Sequence, residues 1–214
     1  AACSLRSGTS GQNRAVPFFT QEKLRNTAPA PARHDRCPPL PTAIHWLAVV
    51  LMIAVYALIE LHEAFPKGSD LRALMKNWHF MAGLALLALT ALRLLVRATY
   101  TPPAITPAPA GWQQKLAGLM HLALYGFLLL MPILGWLAVS AKGKPVMFVG
   151  MELPALVAPD EDLAHTLKEI HETLGTLGYL LIGAHVLAAL QHHFLLRDDT
   201  LRRMLPGRGK PHDA

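Results

Sequence analysis

Charged residues are scarce in this sequence, since Asp, Glu, Lys and Arg make up 16% of its 214 residues while 52% are apolar. So low a share of charge excludes an ordinary soluble domain and predicts an integral membrane protein. Cysteine is also scarce, because Cys3 and Cys37 are the only two and both lie outside the apolar runs. This excludes a disulfide framework and a thiolate metal site.

The basic residues exceed the acidic ones and give a net charge of +6. They lie mostly beside apolar runs and not on an amphipathic soluble surface, so we interpret them as topology signals and expect no nucleic-acid partner.

Residues 1–40 lack the apolar stretch of a secretory signal peptide. We expect residues 1–40 to be a disordered or artefactual extension, for example a transit-like segment, a tag remnant or a start-site artefact.

Four apolar runs are long enough to cross a bilayer, which takes about 20 helical residues. They predict an all-α protein, an antiparallel four-helix transmembrane bundle over residues 41–205, followed by a basic cytoplasmic tail at 206–214. A proline-rich loop, 101–112, separates the second and third runs, and residues 163–170 are predicted to extend the start of the last helix. The runs are 42–61, 78–98, 116–140 and 172–196.

The distribution of Lys and Arg predicts the orientation. Fourteen lie on the side of the two termini and six lie in the two other loops. The positive-inside rule therefore places both termini in the cytoplasm.

Each apolar run carries histidine in it or at its end, although an imidazole is costly inside a membrane and needs a partner there. His171 and His185 are fourteen residues apart, so they share one helix face at about 21 Å separation. Matching depths predicts two pairs. His45 lies with His185 near the cytoplasmic surface, and His79 lies with His171 near the outer surface.

Two histidines on facing helices provide the axial ligands of a low-spin haem, and two pairs predict two haems. The sequence has no CxxCH motif, so these haems are of the b type. Two separated pairs argue against a zinc site, which gathers three or four ligands around one ion. A His-lined metal or proton transporter is the alternative from another class. Small residues near the ligands would admit a macrocycle or simply pack helices: Gly83, Gly175, Gly178, Gly183 and Ala184.

The other histidines have less defined roles. His121, at the cytoplasmic end of the third run, has no obvious partner and is left as a haem-propionate, quinone or structural contact. We expect four further histidines to be solvated groups near the interfaces: His62, His165, His192 and His193.

Three strings resemble the bacterial cytochrome b561 family, which belongs with the di-haem cytochrome b subunits of nickel hydrogenases. They are AIHWLAVVLMIAVYALIE, HLALYGFLLLMPILGW and HETLGTLGYLLIGAHVLAALQHHF, and the match covers roughly residues 41–205. The resemblance implies a four-helix protein of the inner membrane with two haems b. Its ligand positions correspond to His45, His79, His171 and His185.

The stand-alone branch of this family includes a superoxide oxidase, so the resemblance implies electron transfer from periplasmic superoxide to ubiquinone. The alternative is a quinone-linked cytochrome b that serves a partner dehydrogenase. Basic residues in the outer loops could steer a superoxide anion, or could anchor the loops at lipid headgroups. They are Lys67, Arg72, Lys76, Lys142 and Lys144.

The quinone pocket is not defined by the sequence. Candidates at the ends of the bundle are Trp46, His121 and Trp112 on the inner side and Trp78 on the outer side. Tryptophan is also an ordinary membrane-interface anchor.

Overall fold

The computed structural model describes residues 39–99, 105 and 109–205. Four long helices account for most of this part of the chain, and all four are long and apolar enough to cross a membrane. The predicted all-α four-helix transmembrane bundle is therefore confirmed. The helices are α1 (Pro39–Glu63), α2 (Asp70–Thr99), α3 (Gly111–Ala141) and α4 (Glu161–Gln191).

Some expectations concern residues outside the described part. They are the extension at 1–38, the tail at 206–214 and most of the proline-rich loop. Pro39 and Leu40, which we assigned to the extension, already belong to α1, and Gly111 and Trp112 of the predicted loop begin α3.

Two of the helices, α2 and α4, begin well before the apolar runs, and polar residues cap both of them. Ser69 accepts a hydrogen bond from the backbone N–H of Arg72, and Asp160 accepts one from Leu163, which satisfies donors in the first turns of α2 and α4. The expectation that Arg72 and Lys76 lie in a loop is wrong, because both lie on α2. The expectation that residues 163–170 extend the last helix is confirmed by the start of α4 at Glu161.

Side-chain contacts establish the antiparallel order of the helices. On α3 and α4, a Cβ atom at Gly135 would contact the His171 ring, and one at Gly175 would contact Met131. Moving toward the end of α3 therefore moves toward the start of α4. The pair α1 and α2 packs closely as well, whereas α1 and α4 approach mainly through side chains, including the bond from the Tyr56 hydroxyl to the Gly175 carbonyl at 2.7 Å.

The outward faces of the helices are apolar. Leu180 is 72% exposed and Leu122 is 69% exposed, and many other leucines are similarly open. Exposed apolar surface of this extent on four membrane-length helices is the surface that lipid covers.

The loop between α3 and α4 forms a two-stranded antiparallel hairpin that the sequence analysis did not predict, β1 (Val146–Phe148) and β2 (Met151–Leu153). Its turn has positive φ at Val149 (49°) and Gly150 (79°), the backbone twist that two-residue hairpins favour. We name this side of the bundle the hairpin end.

The opposite side, where residues 197–205 follow α4, is named the C-terminal end. The last turn of the α4 span widens into a π-helix, His192–Leu196, and Arg197 ends it with a left-handed φ of 54°. The Trp46 indole N–H donates to the Met204 carbonyl at 2.6 Å, so the start of α1 holds this segment in place.

Candidate functional site

The structure places histidines in two layers, one at each end of the bundle. In the hairpin-end layer, His79 of α2 and His171 of α4 lie with their ring centroids 6.3 Å apart. A metal ion bound between two imidazole nitrogens at about 2 Å from each separates the ring centroids by about 6 Å. The spacing of this pair fits an iron atom between the rings.

The hydrogen bonds of these two rings also suit metal ligation. The Nδ1 atom of His79 lies 2.9 Å from the Val55 carbonyl. Because a carbonyl oxygen can only accept, Nδ1 carries the proton of the neutral ring, and the lone pair of Nε2 is free to bind a metal. The Nδ1 atom of His171 is buried without a hydrogen bond of normal geometry, and the Met131 carbonyl is the backbone group that influences this ring. The His79 ring is therefore held by a hydrogen bond on one side only.

An apolar cleft surrounds the hairpin-end layer. Gly135 borders it, and a Cβ atom there would lie 3.4 Å from the His171 ring, so glycine keeps this space open. Pro132, three residues earlier, removes one backbone hydrogen bond of α3 beside the same space. The other side chains that line the cleft are Phe80, Leu84, Trp136, Val139 and Val146.

In the C-terminal-end layer, His121 and His185 have ring centroids 5.8 Å apart. His45 lies within electrostatic range of both rings, so three helices contribute imidazoles to this layer. The sequence analysis matched His185 with His45 and left His121 without a partner.

The register of α3 against α4 explains the position of His121. Counting fourteen residues back from Gly135, which faces His171, leads to His121, and counting fourteen on from His171 leads to His185. Two antiparallel helices in register therefore bring His121 and His185 to the same level. The depth argument lacked this relation because it did not assign which helices are neighbours.

Arg93 of α2 is a second residue that the sequence analysis missed. Its guanidinium lies 2.8 Å from the Nδ1 atom of His45 and 5.7 Å from the centroid of the Tyr125 ring. Arginine can only donate, so Nδ1 of His45 accepts and the neutral ring carries its proton on Nε2. The signal that could have identified it is an arginine within an apolar run, since such a residue marks a functional site by default.

Aromatic side chains pack where α4 approaches α1 and α3. Tyr56 and Tyr179 lie with ring centroids 4.4 Å apart, and the Tyr179 hydroxyl donates to Glu60 at 2.7 Å. A Cβ atom at Gly178 would collide with the Tyr56 hydroxyl and the Phe127 ring, so this glycine allows α4 to approach both aromatics.

Basic side chains gather above the hairpin-end cleft. Lys76 lies 5.9 Å from the Phe80 ring that lines the cleft, and it is within electrostatic range of Lys142, Lys144 and Lys168. We name these four residues the lysine cluster. Lys168, which was not among the predicted steering residues, also forms a salt bridge of 2.8 Å with Glu172.

Two other predicted steering residues lie outside this cluster. Arg72 donates to both carboxylate oxygens of Glu63 at 2.9 Å and to two backbone carbonyls at the end of α1, so its charge is matched locally. Lys67 is exposed in the turn between α1 and α2.

The residues considered for quinone binding or as interfacial histidines lie at both ends of the bundle. Trp78 and Trp112 are 52% and 66% exposed, and Trp46 uses its only donor on Met204. His165 is exposed near Glu169, His62 is buried beside Glu63, and His193 contacts Phe194. His192 contacts Asp198 at 2.5 Å.

A four-helix membrane bundle with paired histidines at two depths defines a membrane cytochrome b. The chain belongs to the prokaryotic cytochrome b561 family, whose model matches residues 36–207. It is therefore a multi-pass membrane protein of a bacterial electron-transfer family, and this family implies b-type haem.

Relatives of similar length support the family assignment. Cytochrome b561 homolog 1 of Escherichia coli is 40% identical over 165 residues, covering 77% of this chain and 94% of the relative. The probable superoxide oxidase CybB of Yersinia pestis is 36% identical, covering 81% and 97%. Cytochrome b561 homolog 2 of Escherichia coli is 30% identical, covering 80% and 92%.

Proposed function

We propose that this protein is a di-haem superoxide oxidase, which takes electrons from superoxide at the hairpin end and delivers them to ubiquinone. The observation that carries the proposal is the lysine cluster above the cleft of His79 and His171, since it joins an anion-attracting surface to a histidine pair. The name of the relative from Yersinia pestis points to the same reaction.

The two histidine layers are the proposed haem sites. His79 and His171 would hold one haem b, and His185 would hold the other together with His45. Each haem supplies one-electron exchange at its iron. The chain itself fixes the imidazoles, through the Val55 carbonyl at His79, and excludes water with the apolar side chains of the cleft.

The overall reaction balances with two superoxide anions for each quinone. Two superoxide anions lose one electron each and become oxygen, while ubiquinone gains two electrons and two protons and becomes ubiquinol. The lysine cluster would attract the anion, because its charges act at an opening flanked by low-dielectric walls. It would affect the encounter rate and leave the later electron transfer unchanged.

The direct experiment uses the detergent-purified protein with no partner. A dithionite-reduced minus oxidised spectrum and a pyridine-haemochrome count should give two b-type haems per chain. Superoxide from xanthine oxidase should then reduce the haems and produce ubiquinol from added ubiquinone, and superoxide dismutase should abolish both. This outcome would make a partner dehydrogenase unnecessary.

Other outcomes would identify the competing functions. Two haems that superoxide does not reduce would contradict the oxidase and favour a quinone-linked cytochrome b that requires a partner dehydrogenase. A protein that binds no haem and transports metal ions or protons in vesicles would contradict electron transfer altogether.

A further inference from the structure

Arg93 is a permanent positive charge inside a membrane-spanning helix. It lies six residues before the end of α2, half-buried, between the His45 ring and the Tyr125 ring. Arginine in this position is costly, and its charge cannot be removed by deprotonation. The described residues provide it with contacts to an imidazole and an aromatic face, and with no salt bridge to a carboxylate.

The charge of Arg93 acts on the whole C-terminal-end layer. Arg93 contacts His45 directly and is within electrostatic range of His121 and His185. Arg97, one turn further along α2, is within range of His121 as well. The effect of Arg93 therefore reaches this layer whichever of His45 and His121 shares a metal with His185.

The hairpin-end layer has a different electrostatic environment. The charges within range of His171 include the carboxylate of Glu172. Lys76, which is within range of His79, is itself within range of Glu172. Of the residues that the structure describes, the carboxylates at the C-terminal end have other partners, since Asp198 contacts His192 and Asp199 approaches Arg203. The hairpin-end layer thus adjoins the lysine cluster, whose members are all exposed, so that solvent screens their charges. At the C-terminal end, in contrast, the half-buried guanidinium of Arg93 contacts an imidazole directly.

We infer that Arg93 raises the reduction potential of the haem at the C-terminal end above that of the haem at the hairpin end. This inference rests on the proposed pair of haems. A bis-imidazole haem iron has one more positive charge when oxidised, so a nearby fixed cation destabilises its oxidised form, and low dielectric strengthens this effect. The difference makes electron transfer from the hairpin end toward the C-terminal end thermodynamically favourable.

The test is a redox titration of the purified holoprotein followed by its haem absorbance. The wild type should show two components. The variant Arg93→Gln should shift one component to lower potential by about 59 mV or more, a tenfold change in its ratio of reduced to oxidised haem, and leave the other unchanged. The component that shifts should be the one that the variant His185→Ala lacks.

Two further variants separate charge from structure. Arg93→Lys retains the positive charge and should restore most of the potential, although it loses the planar guanidinium. Lys115→Gln removes an exposed charge from the first turns of α3, at the C-terminal end of the bundle, and should shift neither component, because solvent screens it.

A variant that keeps Arg93 provides an independent test if Arg93→Gln loses haem. Tyr125→Glu places a carboxylate beside the guanidinium and should lower the same component relative to Tyr125→Gln. Equal potentials in these two proteins, or an equal shift of both components in Arg93→Gln, would overturn the inference. Two haems with the expected shift but no oxidation of superoxide would refute only the proposed reaction.

Discussion

The imidazoles are the residues on which the proposed chemistry depends. At the hairpin end His79 and His171 face each other, while three imidazoles converge at the C-terminal end. His121 is the ring in contact with His185, whereas the depth argument and the family resemblance both assign His45. The structure therefore sharpens the question of which ring shares a haem with His185.

We expect His45→Ala to lose one of two haems and His121→Ala to retain both, because the family resemblance assigns the ligand to His45. Ligation through Nε2 of His45 would require this ring to move its proton to Nδ1 and give up the hydrogen bond from Arg93. The measurement is the pyridine-haemochrome count for each purified variant, with His165→Ala as a control at an exposed site. One haem in His121→Ala and two in His45→Ala would instead assign the ligand to α3.

The lysine cluster should affect rate and not haem content. Replacing Lys142 and Lys144 together by glutamine should lower the rate of haem reduction by superoxide roughly two- to tenfold at low ionic strength. The difference should diminish at high salt, since ions screen exposed charges. Stopped-flow measurements over a range of salt concentrations test this, and Lys115→Gln, which removes a charge from the other end, should match the wild type.

An unchanged rate at all salt concentrations would assign Lys142 and Lys144 to the anchoring of the loop at lipid headgroups.

Arg72→Gln tests a residue whose charge is matched locally. Since Arg72 is bound to Glu63 and to carbonyls of the loop, its removal should lower thermal stability more than the rate.

At the scale of helices, close approach of α4 to its neighbours depends on Gly178. A Cβ atom there would overlap the Tyr56 hydroxyl and the Phe127 ring, whereas one at Gly183 would meet no atom within 4 Å. We expect Gly178→Ala to destabilise the bundle by about 1–3 kcal/mol, because overpacking displaces both rings. Gly183→Ala should be neutral or slightly stabilising, and thermal unfolding in detergent compares the two. Equal melting temperatures would contradict this packing.

The C-terminal segment should be sensitive to acid. Burial raises the pKa of the Asp198 carboxyl, but hydrogen bonds from His192 and Thr200 outweigh it and hold this pKa below its usual value. A depressed carboxyl pKa contributes stability above the pKa of the unfolded state, and this contribution is lost as the pH falls through the folded-state pKa. Asp198→Asn should therefore melt lower than wild type near neutral pH, and the gap should narrow below about pH 4.

The control for this prediction is Glu152→Gln, on an exposed strand of the hairpin. The difference in melting temperature between Glu152→Gln and wild type should not narrow as the pH falls. A constant difference between Asp198→Asn and wild type across the acid range would mean that Asp198 acts through packing and not through its charge.

The helices themselves could be predicted from the sequence because each apolar run exceeds the length that a bilayer requires. The first turns of α2 could not, because they contain charged residues such as Asp70 and Arg72, which follow a capping Ser69. The hairpin at Val146–Leu153 was missed for a different reason. Each strand has three residues, and the turn contains Val149, a β-branched residue that rarely adopts positive φ.

Depth along the membrane was also accessible from the sequence, since helical rise converts residue number into distance. The direction in which each side chain points around its helix was not. That is why His79 and His171 could be matched, whereas the contacts of His121 with His185 and of Arg93 with His45 required the packing of neighbouring helices.

For the whole molecule, the remaining question is which end faces the cytoplasm. The described helices place the predicted cytoplasmic residues Arg97, Lys115 and Arg197 at the C-terminal end, and the lysine cluster at the other. The hairpin end also carries most of the described carboxylates, including Glu172 and Glu152. Over the whole sequence, fourteen Lys and Arg lie on the side of the termini and six on the other side, so the positive-inside rule predicts that the C-terminal end lies in the cytoplasm and that superoxide is oxidised on the outer side.

Reporter fusions test this orientation in the native membrane. Green fluorescent protein fused after residue 214 should fluoresce, and alkaline phosphatase inserted after Gly150, at the exposed turn of the hairpin, should be active, because the two reporters fold on opposite sides of the inner membrane. The reversed pattern would place the lysine cluster in the cytoplasm, where it could not collect superoxide from outside. Electron transfer toward Arg93 would then run from the cytoplasmic side to the outer side. The orientation therefore determines in which direction across the membrane the charge of Arg93 favours electron transfer.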